Sequence, residues 1–188
     1  MNQYYYDLIE FMETSSRFIS MDEYNRLRTS IQDSPRLEII IRLIGDYGMS
    51  VKEICSLRIE DIDKKKIHIE PDPPNVPYIS ERDIKVKDDI VDRIKNFIGD
   101  RREGYVFQTQ YGTKNNSSDD FMKYTNNLIE KITGKRITER GIYRGRIADM
   151  LQNGKEMDDV SKLLGIENIT VAGLEAKPDK KGKNGRDK

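Results

Sequence analysis

The sequence is poor in the residue types that carry metal and disulfide chemistry. Its 188 residues include one cysteine (Cys55), one histidine (His68) and no tryptophan. A single cysteine excludes an internal disulfide. One cysteine and one histidine are also too few to form a zinc site of several Cys and His ligands. We therefore expect neither a metal nor another cofactor. No apolar run approaches the roughly 18 residues of a membrane span, and the N-terminus does not resemble a secretory signal, so a reduced, cytoplasmic compartment is predicted.

The sequence also lacks net charge, because 33 Lys and Arg balance 33 Asp and Glu. The balance is not uniform along the chain. Residues 131–146, here called the basic segment, hold six basic residues and one acidic residue, and residues 177–188 hold six and two. Such clusters are typical of a surface that binds a polyanion. A solvated surface and a solubilising tail explain the same composition.

Length and composition predict one domain with short appendages. We expect an N-terminal arm over residues 1–17, where an aromatic triplet and later apolar residues favour a short helix or a docking arm. The domain itself is predicted over residues 18–176. Residues 177–188 are predicted to be a disordered basic tail, because their composition cannot support a core.

Apolar residues at helical spacing predict that most of the domain is α-helical. Ser20 and Glu23 form the capping-box pattern that predicts the start of the first helix, and Pro35 fits the start of the second. The apolar residues of the second helix recur at i, i+3, i+4 and i+7, the spacing of one buried face. They are Leu37, Ile40, Ile41 and Ile44.

Further helices follow the same signals. Gly48 ends the second helical pattern, and a short helix with an apolar face begins near Val51. Asp88 and Asp119 are each predicted to open a helix, the latter with Phe121, Tyr124, Leu128 and Ile132 on its inner face. The last two helices are predicted over residues 142–152 and 156–164, the second with Met157, Val160, Leu163 and Leu164 inward.

Two short segments have the alternation of β-strands instead. Ile67 and Ile69 alternate with polar residues, as do Ile84 and Val86. The connection, PDPPNVP, holds four prolines in seven residues and is predicted to be a stiff loop. The sequence therefore predicts a mostly helical α+β domain with one small β-hairpin.

Three strings, taken in order, resemble the catalytic domain of the tyrosine recombinases, the phage integrase family. Residues 18–23 read FISMDE, where that family has a phrase of the form FIS-x-x-E. Residues 47–62, YGMSVKEICSLRIEDI, are similar to the family's first motif. Residues 137–165 are similar to its second motif. The matching positions are Gly48, Glu53, Leu57, Asp61, Ile62, Thr138, Arg144, Ala148, Leu151, Gly154, Leu163, Leu164 and Gly165.

The resemblance covers about residues 18–175 and implies the fold of that catalytic domain. It also implies a chemistry, in which a tyrosine hydroxyl attacks a DNA phosphate held by two arginines, with a hairpin lysine and histidines moving protons. Most of these positions hold other residues here. Ser50 aligns with the first arginine, Gly141 and Ile166 align with the histidines, and Glu175 aligns with the tyrosine. No tyrosine follows Tyr143.

The second arginine of the family is retained as Arg144, which is the leading candidate for a phosphate contact. Prolines occupy the loop where the hairpin lysine is expected, and Lys85 and Lys87 are the nearest substitutes. We assign no catalytic residue. The further candidates for DNA contact are Arg146, Arg140, Arg136, Lys135, Lys85, Lys87 and Lys52.

The leading hypothesis is a DNA-binding protein of recombinase fold, without strand cleavage, that serves recombination, integration or the maintenance of a mobile element. Its partners would be double-stranded DNA and either a second copy or an active recombinase, and DNA binding would place it at the nucleoid. One alternative is an active, divergent recombinase that completes its site in trans. Another is a protein-interaction module with no role on DNA.

Four further residues have simpler interpretations. Tyr143 and Cys55 stand at apolar positions and are predicted to belong to the core. His68 alternates outward on its strand and is predicted to be a surface imidazole. Tyr111 lies in an exposed loop, and attack by its hydroxyl is a minor possibility.

Overall fold

The computed structural model describes residues 18–70, 81–114 and 118–164. The predicted N-terminal arm, proline loop and basic tail lie outside these residues. The fold is mostly helical with a two-stranded antiparallel sheet, as the sequence predicts. In chain order its elements are α1 (Met21–Ser30), α2 (Pro35–Gly45), α3 (Val51–Ser56), a 3₁₀ turn (Ile59–Asp61), β1 (Lys66–Ile69), β2 (Arg82–Lys85), α4 (Asp88–Ile98), α5 (Ser118–Thr133), α6 (Glu139–Gln152) and α7 (Met157–Leu164).

The predicted start of α1 is confirmed by its hydrogen bonds. The Glu23 backbone N–H donates to Ser20 Oγ at 3.2 Å, and the Ser20 N–H donates to Glu23 Oε2 at 2.9 Å. This reciprocal pair satisfies two N–H groups that a helix start leaves without partners. Pro35 occupies the first turn of α2, also as predicted, because its fixed φ suits a helix start and its missing N–H costs nothing there.

Helix α2 is buried on all sides and not along one face as the sequence predicts. Every residue from Leu37 to Gly45 is buried, because α1, α3, α4 and α6 all pack around this helix. Burial includes the charged Arg42, whose side chain is 4% exposed. Its guanidinium donates to Asp89 Oδ2 at 2.8 Å and to Asp46 Oδ2 at 3.3 Å. Carboxylate partners from two elements thus compensate the desolvation of a central cation.

The β-hairpin covers one end of the core. Ile67 lies opposite Ile84 in the antiparallel register, and both are buried. Ile69 and Arg82 form the next pair on the same face, since residues two apart on a strand point the same way. Helix α4 follows β2 directly and ends at Gly99, whose φ of 63° is accessible to glycine at little cost.

Helix α5 begins one residue before the predicted Asp119, and the structure describes the side chains of two of its four predicted inner residues. Leu128 and Ile132 are half-buried and pack against the core, whereas the fully buried positions are Met122, Thr125 and Ile129. The side chains of Phe121 and Tyr124 lie outside the described ones. The buried stripe includes a threonine, so apolar spacing alone could not locate it.

The described residues form a large and a small hydrophobic cluster. Most buried residues, Cys55 among them as predicted, belong to the first. In the second, Phe18 packs against α6 and α7, with Val160 fully buried and Met157 and Tyr143 half-buried. Its buried members are Phe18, Ile147, Ala148, Met150, Leu151 and Val160.

Candidate nucleic-acid interface

Ser50 lies in the first motif and is the N-cap residue of helix α3. Its Oγ accepts the Glu53 N–H at 3.2 Å, and its own N–H donates to Glu53 Oε2 at 2.7 Å. The chain reaches this cap through Gly48, which has a φ of 68°. The position that aligns with the family's first arginine is therefore a neutral helix cap in this chain.

Glu53 has a second partner, Arg82 on β2, which the sequence analysis missed. Arg82 Nη1 lies 2.6 Å from Glu53 Oε1, and Nη2 lies 3.3 Å from Oε2. Both side chains are less than 10% exposed, so this bidentate pair fixes the hairpin to the start of α3. The sequence signal for this pair was the alternation of side chains along a strand. Arg82 stands two residues before the inward-facing Ile84 and therefore lies on the same face of β2.

Lysines collect at the end of the hairpin farthest from its loop. Lys66 lies opposite Lys85, and the Val86 N–H donates to the Lys65 carbonyl at 2.9 Å, which extends the pairing by one residue. All five lysine side chains of this end are exposed. We call them the hairpin lysine cluster: Lys64, Lys65, Lys66, Lys85 and Lys87.

Four of the five lysines have no ion pair among the residues that the structure describes; Lys66 is the exception. Lys85 and Lys87 are among the residues predicted from the sequence, whereas Lys64, Lys65 and Lys66 are not. A run of three lysines directly before a strand was the signal, but the antiparallel register is needed to place the run beside Lys85 and Lys87.

Asp83 organises the solvent face of the hairpin. Its carboxylate accepts from Lys66 Nζ at 2.8 Å and lies 2.9 Å from His68 Nδ1. The hydrogen bond with Asp83 raises the pKa of His68 above its usual value. The hydrogen bonds from Lys66 and then from His68 lower the pKa of Asp83. His68 therefore faces solvent as predicted, but with a carboxylate partner.

Arg144 lies on helix α6, one turn beyond Gly141. Its side chain is half-buried, and its guanidinium carbon lies 5.9 Å from the centre of the Phe18 ring. Gly141 is buried, and its carbonyl accepts the Ile19 N–H at 3.4 Å. A Cβ at Gly145 would overlap the Ile19 carbonyl oxygen, so glycine permits this close approach. Backbone contact and aromatic stacking together position Arg144.

Arg146, a predicted DNA contact, is engaged within the fold. Its Nε donates to the Gly45 carbonyl at 2.7 Å, and its Nη1 lies 3.3 Å from Met21 Sδ and pairs with Asp149. The side chain is 19% exposed. Arg146 thus joins α6 to the C-terminal end of α2, where cations are favoured by the helix dipole.

Lys135 is also engaged within the fold, with its Nζ 2.7 Å from Glu23 Oε1. Burial raises the pKa of Glu23, but the hydrogen bonds from Lys135 and from the Ser20 N–H outweigh burial and leave this pKa below its usual value. Lys135 therefore stabilises the ionised form of a capping residue.

The remaining candidates are placed as follows. Arg136 and Lys52 are exposed, and neither has an ion pair within the described chain. Arg140 lies in the first turn of α6, but its side chain is outside the described ones. Ile166 and Glu175 are outside the described residues. No hydrogen bond or ion pair in the described part of the chain joins the hairpin lysine cluster to Arg144.

Exposed ammonium groups can bind the phosphate oxygens of DNA of any base sequence, because they act as hydrated point charges without directional demands. Among the residues described, no group of three or more His, Cys, Asp and Glu side chains could hold a metal ion. No helix in that part of the chain is long and apolar enough to cross a membrane.

Sequence comparison relates the chain to integrases. The model of the phage integrase family matches residues 17–174. A probable integrase/recombinase protein of Methanocaldococcus jannaschii is 31% identical over 158 residues, which are 77% of this chain and 45% of that protein. The chain thus spans less than half the length of this curated relative.

Structural comparison gives the same fold. The XerA recombinase superposes with a TM-score of 0.69 at 18% identity, over 84% of this chain and 58% of that one. The Tn1549 transposon integrase in complex with circular intermediate DNA superposes with a TM-score of 0.63 at 17% identity, over 84% and 59%. At such identities the likeness establishes the architecture alone.

Proposed function

The chain belongs to the phage integrase family, and on that premise we propose that it binds double-stranded DNA and serves recombination or integration without cutting a strand itself. The observation that carries the proposal is the hairpin lysine cluster. Within the described part of the chain, Lys64, Lys65, Lys85 and Lys87 have no ion pair, and all four are exposed at one end of the hairpin. Exposed ammonium groups bind phosphates by releasing their counterions.

Arg144 is the proposed second contact. The ring of Phe18 lies beside its guanidinium, and the packing of α6 on Ile19 fixes the helix that carries it. An arginine guanidinium can bind a phosphate through two parallel donors, which a lysine cannot do. We therefore assign backbone tracking to the lysines and a directed contact to Arg144.

The absence of cleavage is proposed from the residues at the aligned positions. Ser50 has an uncharged side chain that is used as a helix cap, and the sequence holds no tyrosine beyond Tyr143. Loss of one preorganised donor lowers a rate by about 10²- to 10³-fold, and loss of the nucleophile removes the covalent step. A role beside an active recombinase, in maintaining a mobile element at the nucleoid, follows from the same proposal.

The test is fluorescence anisotropy with a labelled duplex of about 30 base pairs across a range of salt, followed by trapping on a nicked duplex. We expect binding that weakens steeply with log[salt] and no covalent protein–DNA adduct. Arg144→Ala should weaken binding, with Arg144→Lys recovering only part of it. Absence of binding at low salt would refute the DNA role, and an adduct would establish the active alternative.

A further inference from the structure

The segment after the buried pair Val106 and Phe107 is a tight turn with its own hydrogen-bond network. The Thr109 N–H donates to the Thr113 carbonyl at 3.0 Å, and the Gly112 N–H donates to the Thr109 carbonyl at 3.0 Å. The two threonine hydroxyls lie 2.8 Å apart, and the Tyr111 N–H donates to Thr109 Oγ1 at 3.2 Å. Hydrogen bonds thus join Thr109, before Tyr111, to Gly112 and Thr113, after it.

The base of this turn is fixed to the core. Val106 and Phe107 are no more than 1% exposed. Arg101 donates to the Tyr105 carbonyl at 2.7 Å and to the Val106 carbonyl at 3.0 Å. A closed turn on an anchored base presents its apex with little loss of conformational entropy on binding.

Tyr111 stands at that apex and is 81% exposed, the one large hydrophobic side chain so exposed among the residues described. Its neighbourhood in the sequence is free of acids, since residues 104–118 contain no Asp or Glu although acids make up 33 of 188 residues. Gln110, also exposed, adds an amide that can both donate and accept. No acid within residues 104–118 therefore opposes the approach of a polyanion to this turn.

We propose that Tyr111 stacks on an unstacked nucleobase, at a bulge, a nick or a single-stranded stretch, when the protein engages DNA. This inference rests on the proposed DNA binding and adds a preference for distorted DNA. An exposed aromatic ring on a hydrogen-bonded turn offers a face on which a splayed base can stack. The hydroxyl has no role in the contact.

The test compares a fully paired duplex with the same duplex carrying a three-nucleotide bulge. Tyr111→Ala should lose at least about fivefold in affinity for the bulged duplex, the lower limit of a base–aromatic stack, and little for the paired one. Tyr111→Phe keeps the ring and should bind both like the parent. Gln32→Ala, at an exposed glutamine outside this turn, is the control and should not reproduce the loss.

A direct readout is available because the chain has no tryptophan. Tyr111→Trp introduces a single indole, whose fluorescence should be quenched by the bulged duplex and unchanged by the paired one. If the parent binds DNA but Tyr111→Ala matches it on both duplexes, the stacking inference is wrong and the DNA role survives. If the parent binds neither duplex, the proposed function fails. Equal losses in Tyr111→Phe and Tyr111→Ala would assign the contact to the hydroxyl and overturn stacking.

Discussion

The basic segment and the hairpin lysine cluster carry similar charge and use it differently. In the basic segment, Lys135 pairs with Glu23 and Arg146 is held between Gly45, Met21 and Asp149. In the hairpin cluster, Lys66 alone is paired among the five lysines, within the described part of the chain. A count of basic residues in the sequence favours the first region, whereas a count of available charges favours the second.

The difference follows from where each region lies. Helix α6 packs against α1, α2 and α7, so its long cations meet carbonyls and carboxylates of the core and stabilise the fold. The open end of a two-stranded hairpin faces solvent, where lysines remain hydrated. Folding thus pairs the cations of the packed helix with groups of the core and leaves the hairpin lysines exposed to solvent.

The largest effect is expected at the pair that joins the hairpin to α3. Glu53→Ala leaves the Arg82 guanidinium buried without its carboxylate, which should cost about 3–5 kcal/mol in the free energy of unfolding. Urea denaturation measures it. Glu53→Gln with Arg82→Met removes both charges and should recover much of the loss. A cost below about 1 kcal/mol for Glu53→Ala would mean that this pair does not fix the hairpin.

A second variant tests whether Arg146 serves the fold. Arg146→Met removes charge-assisted hydrogen bonds and should lower the free energy of unfolding by about 1.5–3 kcal/mol, while the salt dependence of DNA binding stays unchanged. Arg136→Met, at an exposed and unpaired position of the same segment, should leave stability unchanged. If Arg146→Met reduced the salt dependence of DNA binding and left the free energy of unfolding unchanged, Arg146 would serve DNA binding and not the fold.

The cap at Ser50 should show a smaller effect. Ser50→Ala removes the acceptor of the Glu53 N–H and should cost about 1 kcal/mol in the free energy of unfolding, with Ser50→Asp close to the parent. DNA affinity should not change, because the cap has no free charge. Weaker DNA binding with unchanged stability in Ser50→Ala would assign the hydroxyl to the interface instead.

The smallest effect concerns His68, the one histidine of the chain, whose proton resonance needs no assignment. Its pKa should lie above 6.5 and return toward that value in Asp83→Asn. The stability that His68 contributes is present below its unfolded pKa and is lost as pH rises through the folded one. For Asp83, the contribution is present above its unfolded pKa and is lost as pH falls through the lowered one. A pKa that Asp83→Asn leaves unchanged would contradict the hairpin geometry.

Local signals predicted much of the fold. The cap at Ser20, Pro35 in the first turn of α2 and the alternation of Ile67 and Ile69 with polar residues depend on residues close in sequence, and the helices and hairpin that they predict are present. The full burial of α2 could not be predicted this way, because it depends on distant elements that surround the helix.

The interface was harder to predict, because availability of a charge is a tertiary property. Nothing local indicates that Arg146 reaches the Gly45 carbonyl or that Arg82 meets Glu53. Lys66 and Lys85 become neighbours only through strand pairing. The motif positions at Ser50, Gly141 and Arg144 came from the resemblance, and the structure adds their surroundings.

The most direct test of the account compares two variants that each remove four lysine charges. One changes Lys64, Lys65, Lys85 and Lys87 to Gln, and the other changes Lys95, Lys123, Lys131 and Lys155, which are also exposed and without ion pairs in the described chain. Each variant is titrated with the same duplex at a series of salt concentrations. The account predicts that the hairpin variant alone loses about three to four units of salt slope. Equal losses in both variants, or a larger loss in the second, would contradict a DNA interface at the hairpin.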